Sequence, residues 1–275
     1  MIYLTIKDYA KKWGLSERTI RNYCSNGKIP GARLNFGVWA IPEDASLPKR
    51  INENESKNYL LERLRIEKAK HISGGIYHEL QIEFTYNSNH MEGSTLSSEQ
   101  TRYIFETNSV NTDDKEFIKV DDVIETINHF DCISRVIDFA NYQLSEHFIK
   151  ELHATLKRGT SKVKNKIYPL GEYKKIGNVI GDVKTVDPLL VPEMMEKLVS
   201  EYNKKDSHTI EEIIDFHYKF ESIHPFFDGN GRVGRLIMLK ECLKNNLVPI
   251  LIKDDFKDFY YRGLKEYSKE KGYLI

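Results

Sequence analysis

The chain has 275 residues and a mass of 32.2 kDa, enough for one or two domains with a substantial core. Hydrophobic residues make up 40% and charged residues 30%, which excludes collagen-like, low-complexity and wholly disordered chains. Lys+Arg and Asp+Glu balance at 41 each, so global charge names no partner. Apolar stretches such as Val248–Ile252 are far too short to span a bilayer, and no membrane partner is expected. The first ten residues carry Lys7 and Asp8 and do not read as a secretory leader. Cys24, Cys132 and Cys242 are widely spaced and form no C-x-x-C pair, so neither a disulfide framework nor a zinc knuckle is suggested. The expectation is a soluble cytoplasmic protein.

Residues 1–50 hold nine Lys/Arg against four Asp/Glu, and the rest of the chain carries the matching deficit. Thr5 can cap a helix with Ile6, Tyr9, Ala10 and Trp13 on one face, broken at Gly14. Ser16 can cap a second helix with Thr19, Ile20 and Tyr23, ending near Gly27. A turn at Pro30-Gly31 follows. Then comes a hairpin with arms Ala32–Leu34 and Val38–Ile41 around Asn35-Phe36-Gly37. Two short helices and a β-wing outline a winged helix-turn-helix over residues 1–50. The run Leu15–Tyr23 resembles the MerR/excisionase type of DNA-binding domain. That resemblance implies Arg18, Arg21, Asn22, Lys28 and Arg33 as DNA contacts, although a small basic module can equally serve a protein surface.

Residues 51–57 read as a polar linker. Beyond it the pattern is helical over Tyr59–Phe84 (disturbed at Gly74-Gly75), Glu99–Glu106, Phe117–Asn141, Ser145–Lys157, Val191–Tyr202, Ile210–Ile223, Val233–Lys244 and Lys257–Lys269. Only Lys175–Gly181 looks β-like in this larger region's middle. The fold class expected is mainly α, with a small β-hairpin.

The informative segment is His224–Arg235. Thr209 and Glu212 have capping-box spacing for a helix with Ile213, Phe216, Phe220 and Ile223 inward. Pro225 disfavours helical geometry at His224 and so places it at the helix exit. Gly229-Asn230-Gly231 then makes a tight turn, and a new helix is expected with Arg232 and Arg235 in its first turn. Cations there oppose the macrodipole by about 0.3–1 kcal/mol each. Their presence makes sense if a polyphosphate sits among the turn amides, the helix N-terminus and the two guanidinium groups. Asp228 can hold a Mg²⁺ ion that bridges phosphates, or merely cap the helix. His224 can accept a proton from an incoming nucleophile. Gly229, Gly231 and Gly234 also satisfy G-x-G-x-x-G, with Val248–Ile252 and Asp254 downstream. A dinucleotide-binding unit would need a strand running into Gly229, and a capped helix stands there instead. His153 and His217 lack metal-ligand spacing and read as core or supporting histidines. Phe226 and Phe227 read as core anchors of the loop.

His224–Arg235 resembles the Fic motif H-P-F-x-D/E-G-N-G-R-x-x-R at every fixed position. The resemblance extends to Glu151-Leu152-His153, Gly171-Glu172-Tyr173 and Tyr260-Tyr261. It implies an all-helical Fic fold with a β-hairpin flap. The implied core is 143–275, preceded by an N-terminal helical part at 58–142. The implied activity is transfer of AMP from ATP to a hydroxyl of a target protein. It implies His224 as general base, Asp228 as Mg²⁺ ligand, Gly229, Asn230 and Gly231 as anion hole, and Arg232 and Arg235 as phosphate clamps. Ile180, Gly181, Asp182 and Val183 would form the flap, and Tyr260 and Tyr261 would lie near the nucleotide base. Ser268 stands where relatives often carry an asparagine. In the related Doc kinases lysine replaces the second motif glycine, so Gly231 favours nucleotidyl transfer over phosphoryl transfer.

Ser88–Gly93 fits the family's inhibitory pattern S/T-x-x-x-E-G/N, with Ser88, Glu92 and Gly93 at its fixed positions. A Glu92 carboxylate paired with Arg235 would occupy the arginine that should hold the γ-phosphate. A solvated helix-end acid is the plainer alternative for Glu92. Two functions result: an autoinhibited protein adenylyltransferase, or a DNA-binding regulator whose Fic-like domain mainly senses nucleotide. The expected partners are a target protein and DNA, with a homodimer as a further arrangement.

Overall fold

The computed structural model describes residues 3–25, 28–35, 37–46, 58–111, 117–164, 168–177, 179–180 and 183–274. The N-terminal unit comprises β1 (Tyr3–Thr5), α1 (Ile6–Trp13), α2 (Glu17–Ser25), β2 (Arg33–Asn35) and β3 (Val38–Pro42). Thr5 caps α1 in a reciprocal box with Asp8, and left-handed Gly14 ends it. Ser16 Oγ accepts from Thr19 N at 3.1 Å at the start of α2. Tyr9, Ile20, Cys24, Ile29 and Ile41 close a small core. The hairpin pairs Leu34 with Trp39, and β1 adds a third strand against β3, in the order β1-β3-β2. Three residues are too few to show a period, so that strand was not legible beforehand. Gly27, Phe36 and the expected linker 51–57 lie outside the described residues.

The expected helix over Tyr59–Phe84 is two helices, α3 (Tyr59–Lys70) and α4 (Ile76–His90). His71 ends α3 in the left-handed conformation. The buried Glu67 carboxylate accepts Tyr77 N at 2.8 Å and serves as a cap for α4 from outside it. Next come α5 (Ser98–Thr107), α6 (Val120–Phe139) and α7 (Glu146–Lys157). Helix α6 starts three residues later than expected, and Phe117 is 99% exposed. A short hairpin, β4 (Val179–Ile180) with β5 (Val183–Lys184), precedes α8 (Val191–Tyr202), α9 (Ile210–Ile223), α10 (Asn230–Lys244) and α11 (Lys257–Glu266). Of the β-like expectation at Lys175–Gly181, Val179–Ile180 is strand and Lys175–Gly177 is not, while Asn178 and Gly181 lie outside the described residues.

Helix α10 is the axis of the larger region. Every residue from Asn230 to Leu243 is buried, so it has no solvent-exposed face, and its charged residues Arg232, Arg235, Lys240 and Glu241 are paired inside the fold. It packs against α4, α6, α7 and α9, through a core including Phe148, Leu152, Phe220, Phe226, Val233 and Leu236. The dinucleotide-binding imitation fails at both ends. Helix α9 runs into the motif, and Val248–Ile252 is not in a sheet.

Candidate active site

The site grows out of the α9–α10 connection. Thr209 and Glu212 form the expected capping box, and α9 ends at His224 in the left-handed conformation, with its N–H donated to Phe220 O. The chain then turns over Phe226, which is fully buried and stacks on the His153 ring with centroids 4.0 Å apart. Asn230 fastens this turn. Its Oδ1 accepts Phe226 N and its Nδ2 donates to Phe226 O, both at 2.8 Å. The Asn230 side chain is therefore committed to the loop, and only its backbone amide is left for an anion. Phe227 is not a core anchor. It is partly exposed, and its ring lies 4.1 Å from that of Tyr168.

Gly229 sits at φ 81° as the N-cap of α10, a conformation that a residue with a β-carbon rarely adopts. The helix thus begins at Asn230, three residues before the expected start. Arg232 falls in its first turn but Arg235 in its second, which corrects the placement of both arginines in the first turn. The dipole argument applies to Arg232 alone, because the effect fades beyond the first turn. Arg235 is held by other means. Its Nη2 donates to Glu92 Oε1 at 2.8 Å and to Ser88 O at 2.9 Å, and its Nε donates to Ser88 Oγ at 3.0 Å. Burial pushes the Glu92 carboxyl upward in pKa, but Arg235 and Arg232 outweigh that and hold it below its ordinary value. Gly93 closes the turn behind Glu92, its N–H donated to His90 O at 3.0 Å. The space over Gly231 is filled by this pair: a β-carbon there would lie 3.0 Å from Arg235 Nη1 and closer to Glu92 Oε1.

Asp228 lies at the other edge. Its Oδ1 accepts Gly229 N at 2.8 Å, and its Oδ2 accepts Lys157 Nζ at 2.9 Å and Lys162 Nζ at 2.8 Å. Burial opposes ionisation of Asp228, yet Lys157, Lys162 and Arg232 hold its pKa well below the usual carboxylate range. Glu125 of α6 bonds both Arg232 Nη1 and Lys157 Nζ. Among the described residues no three His, Cys, Asp or Glu side chains converge. Mg²⁺ commonly takes one or two carboxylates plus phosphate oxygens and water. Asp228 can meet that need once Lys162, which is 57% exposed, swings away.

His224 is half-buried, and its Nδ1 has no hydrogen-bond partner. Burial, with help from the Lys174 charge, lowers its pKa to about 4, so the imidazole is neutral near pH 7 and able to accept a proton. His153 accepts Gly171 N at Nδ1 (3.1 Å), and its Nε2 lies 3.2 Å from Asp228 O. It supports the loop rather than binding metal. Tyr260 is buried against His217, OH to Nε2 at 2.8 Å, with the Arg235 guanidinium 5.9 Å from its ring centroid. Tyr261 OH donates to Met91 O at 3.1 Å. Both tyrosines therefore flank the Glu92–Arg235 pair. Of the expected flap, Ile180 pairs with Val183 across the hairpin, while Gly181 and Asp182 lie outside the described residues. Arg18, Arg21, Asn22, Lys28 and Arg33 are all exposed on the N-terminal unit, remote from this cluster in sequence.

Glu125, Lys157 and Lys162 were not singled out beforehand. Lys157 had a usable signal: it follows His153 by one helical turn and so shares its face. Glu125 had none, being one acid among several on α6.

Residues 143–242 match the model of the Fic/DOC family. That segment is thus similar to a Fic domain, and the chain is similar to protein adenylyltransferases Fic. The protein adenylyltransferase Fic of Nematostella vectensis is 28% identical over 232 residues, spanning 81% of this chain and 50% of that protein. The protein adenylyltransferase fic-1 of Caenorhabditis elegans is 27% identical over 194 residues, spanning 68% of this chain and 36% of that protein. The chain thus matches half or less of these relatives' length. A crystal structure of a Fic-domain-containing signaling protein from Bacteroides thetaiotaomicron superposes with a TM-score of 0.61 at 26% identity. That likeness covers 76% of this chain and 81% of the other. A Fic family protein from Desulfovibrio desulfuricans shares the fold, with a TM-score of 0.58 at 22% identity over 82% of this chain and 70% of its own.

Proposed function

We propose that this chain is a protein adenylyltransferase restrained by its own Glu92. The carrying observation is the 2.8 Å pair between Glu92 and Arg235, the last arginine of the Fic motif. In this reading ATP lies over the start of α10. The amides of Gly229, Asn230 and Gly231 and the guanidinium of Arg232 meet its phosphates, with Arg235 joining when Glu92 releases it. Asp228 would hold Mg²⁺, which supplies charge neutralisation on the phosphates. The flap at 180–183 aligns a Tyr, Ser or Thr of the target. Its hydroxyl oxygen bonds to the α-phosphorus as the bond to the β-phosphate's bridging oxygen breaks. Pyrophosphate leaves, and His224 takes the hydroxyl proton. Tyr260 and Tyr261 border the base. Residues 58–142 act as the restraining part and 143–275 as the catalytic core.

Residues 1–50 are read as a winged helix-turn-helix that carries the enzyme to DNA, because the basic side chains on α2 and the hairpin are exposed. That same exposure supports the second reading, a DNA-binding regulator whose Fic domain senses nucleotide. Incubation with ATP and Mg²⁺ followed by mass spectrometry separates the two. An added AMP on the chain or on a lysate protein, absent with His224→Ala, is expected. ATP binding without any adduct, in Glu92→Gly as well as wild type, would favour the sensor.

A further inference from the structure

Both motif arginines meet a carboxylate, but the two carboxylates differ in what else they touch. Glu92 binds Arg235 and comes from the end of α4. Glu125 comes from the first turns of α6, is 15% exposed, and grips two cations at once, Arg232 through one oxygen and Lys157 through the other. Lys157 is the last residue of α7 and only 5% exposed, and its ammonium also reaches Asp228 at 2.9 Å. Its stem lies along the N-cap of α10: a β-carbon on Gly229 would sit 3.5 Å from Lys157 Cδ. Arg232 Nε and Arg235 Nη1, both buried at this same helix start, have no partner.

The charges around Asp228 do not cancel. Glu125 and Asp228 are two anions, and Lys157, Lys162 and Arg232 are three cations. Lys162 is exposed and free to withdraw, whereas Lys157 is enclosed and stays. A cleft opens beside Lys157 and Asp228, walled by Tyr168 and Phe227. A desolvated ammonium fixed beside a helix N-terminus is a strong phosphate contact. Its hydration is already lost, and its direction is set before the ligand arrives.

We propose that Lys157 is a further phosphate-binding residue of the nucleotide site and that Glu125 is the positioning residue that holds Lys157 and Arg232 toward the phosphates. The assignment rests on the nucleoside-triphosphate reading above. Glu125 differs from Glu92 in kind, because removing it loosens two ligands of the phosphate rather than releasing one.

The test is ATP and adenosine binding by calorimetry, on the full chain carrying Glu92→Gly so that Arg235 is free. Added Lys157→Met should weaken ATP by at least about tenfold and leave adenosine within about twofold, while Lys157→Arg should recover most of the ATP affinity. Added Glu125→Gln should weaken ATP by several-fold, again without moving adenosine. Lys157→Met leaves two carboxylates facing each other. If it does not fold, the Lys157→Met/Glu125→Gln double variant removes that repulsion and should show the same selective loss of ATP. An ATP affinity within twofold of the parent in the folded lysine variant, single or double, overturns the role of Lys157. Tighter ATP binding by Glu125→Gln overturns the positioning role and makes Glu125 a second restraint. A parent chain that binds no ATP overturns the nucleotide reading itself, a different outcome from either.

Discussion

Arg235 has two claims on it. In the present structure Glu92 and Ser88 take its Nε and Nη2. On the proposed function a γ-phosphate would. A charge-assisted hydrogen bond is worth about 1.5–3 kcal/mol, and each 1.4 kcal/mol is about tenfold in an equilibrium. Glu92→Gly should therefore raise AMP transfer by roughly ten- to a hundredfold, through a triphosphate that settles with its bridging oxygen in line for attack. Arg235→Ala breaks the same pair but should lower activity, because the arginine would itself hold the γ-phosphate on that proposal. The double variant should follow Arg235→Ala. Auto-modification with radiolabelled ATP reads all three, and a Glu92→Gly chain no more active than wild type would remove Glu92 as the restraint. The motif arginines and Glu92 were legible in the sequence because each sits in a fixed pattern. Glu125 was not, because it joins Lys157 of α7 and Arg232 of α10 from a third helix, and only the tertiary fold brings them together; Lys157 had only its place one turn past His153.

At the level of elements, helix boundaries were readable where a side chain marks them. Thr5, Ser16 and Thr209 cap the helices they were expected to cap. The start of α10 was misjudged because no side chain caps it. A left-handed glycine does, and Asn230 spends its amide on Phe226. The break between α3 and α4 was visible as Gly74-Gly75, but the cap from Glu67 was not, since it acts across ten residues. The crossing of α9 and α10 shows how little room the motif helix has. A β-carbon on Gly234 would lie 2.9 Å from His217 Nδ1 and closer still to Glu221 Oε1. Overpacking of this kind costs about 1–3 kcal/mol, more than the roughly 1 kcal/mol that alanine gains over glycine in a helix interior. Gly234→Ala should therefore lower the urea midpoint with an unchanged m-value. A midpoint equal to or above wild type would mean that Glu221 and His217 can move aside.

The molecule as a whole joins a basic N-terminal unit to a slightly acidic larger region, and no described helix is long and apolar enough to cross a membrane. If residues 1–50 meet DNA, binding should fall steeply between low and moderate salt as phosphate counterions compete. Fluorescence anisotropy on labelled duplex reads this, and salt-independent or absent binding would turn the unit toward a protein partner. The larger region has a second global property, its response to acid. Burial is the first cause that holds His129, His153, His217 and His224 below the ordinary histidine range, to about 3 for His153 and His217 and about 4 for His224. Burial also pushes Glu221 up to about 8. A histidine with a depressed folded pKa contributes stability above its unfolded value of about 6.5, and that stability is lost as pH falls toward the folded value. Glu221 works the other way: the unfolded carboxyl ionises above about 4.5 while the folded one stays protonated, so stability declines from there toward pH 8. Between about pH 4.5 and 6.5 the unfolded chain thus binds more protons through these histidines than it gives up through Glu221, so stability falls as the pH falls through that window. Above pH 6.5 only the shallow opposing slope of Glu221 remains. Urea unfolding at pH 5, 6.5 and 8 should accordingly give the highest midpoint near 6.5, a slightly lower one at 8 and a sharply lower one at 5. Equal stability at pH 5 and 6.5 would mean that these histidines are not held neutral by the fold, and with them would go the neutral His224 on which proton abstraction depends.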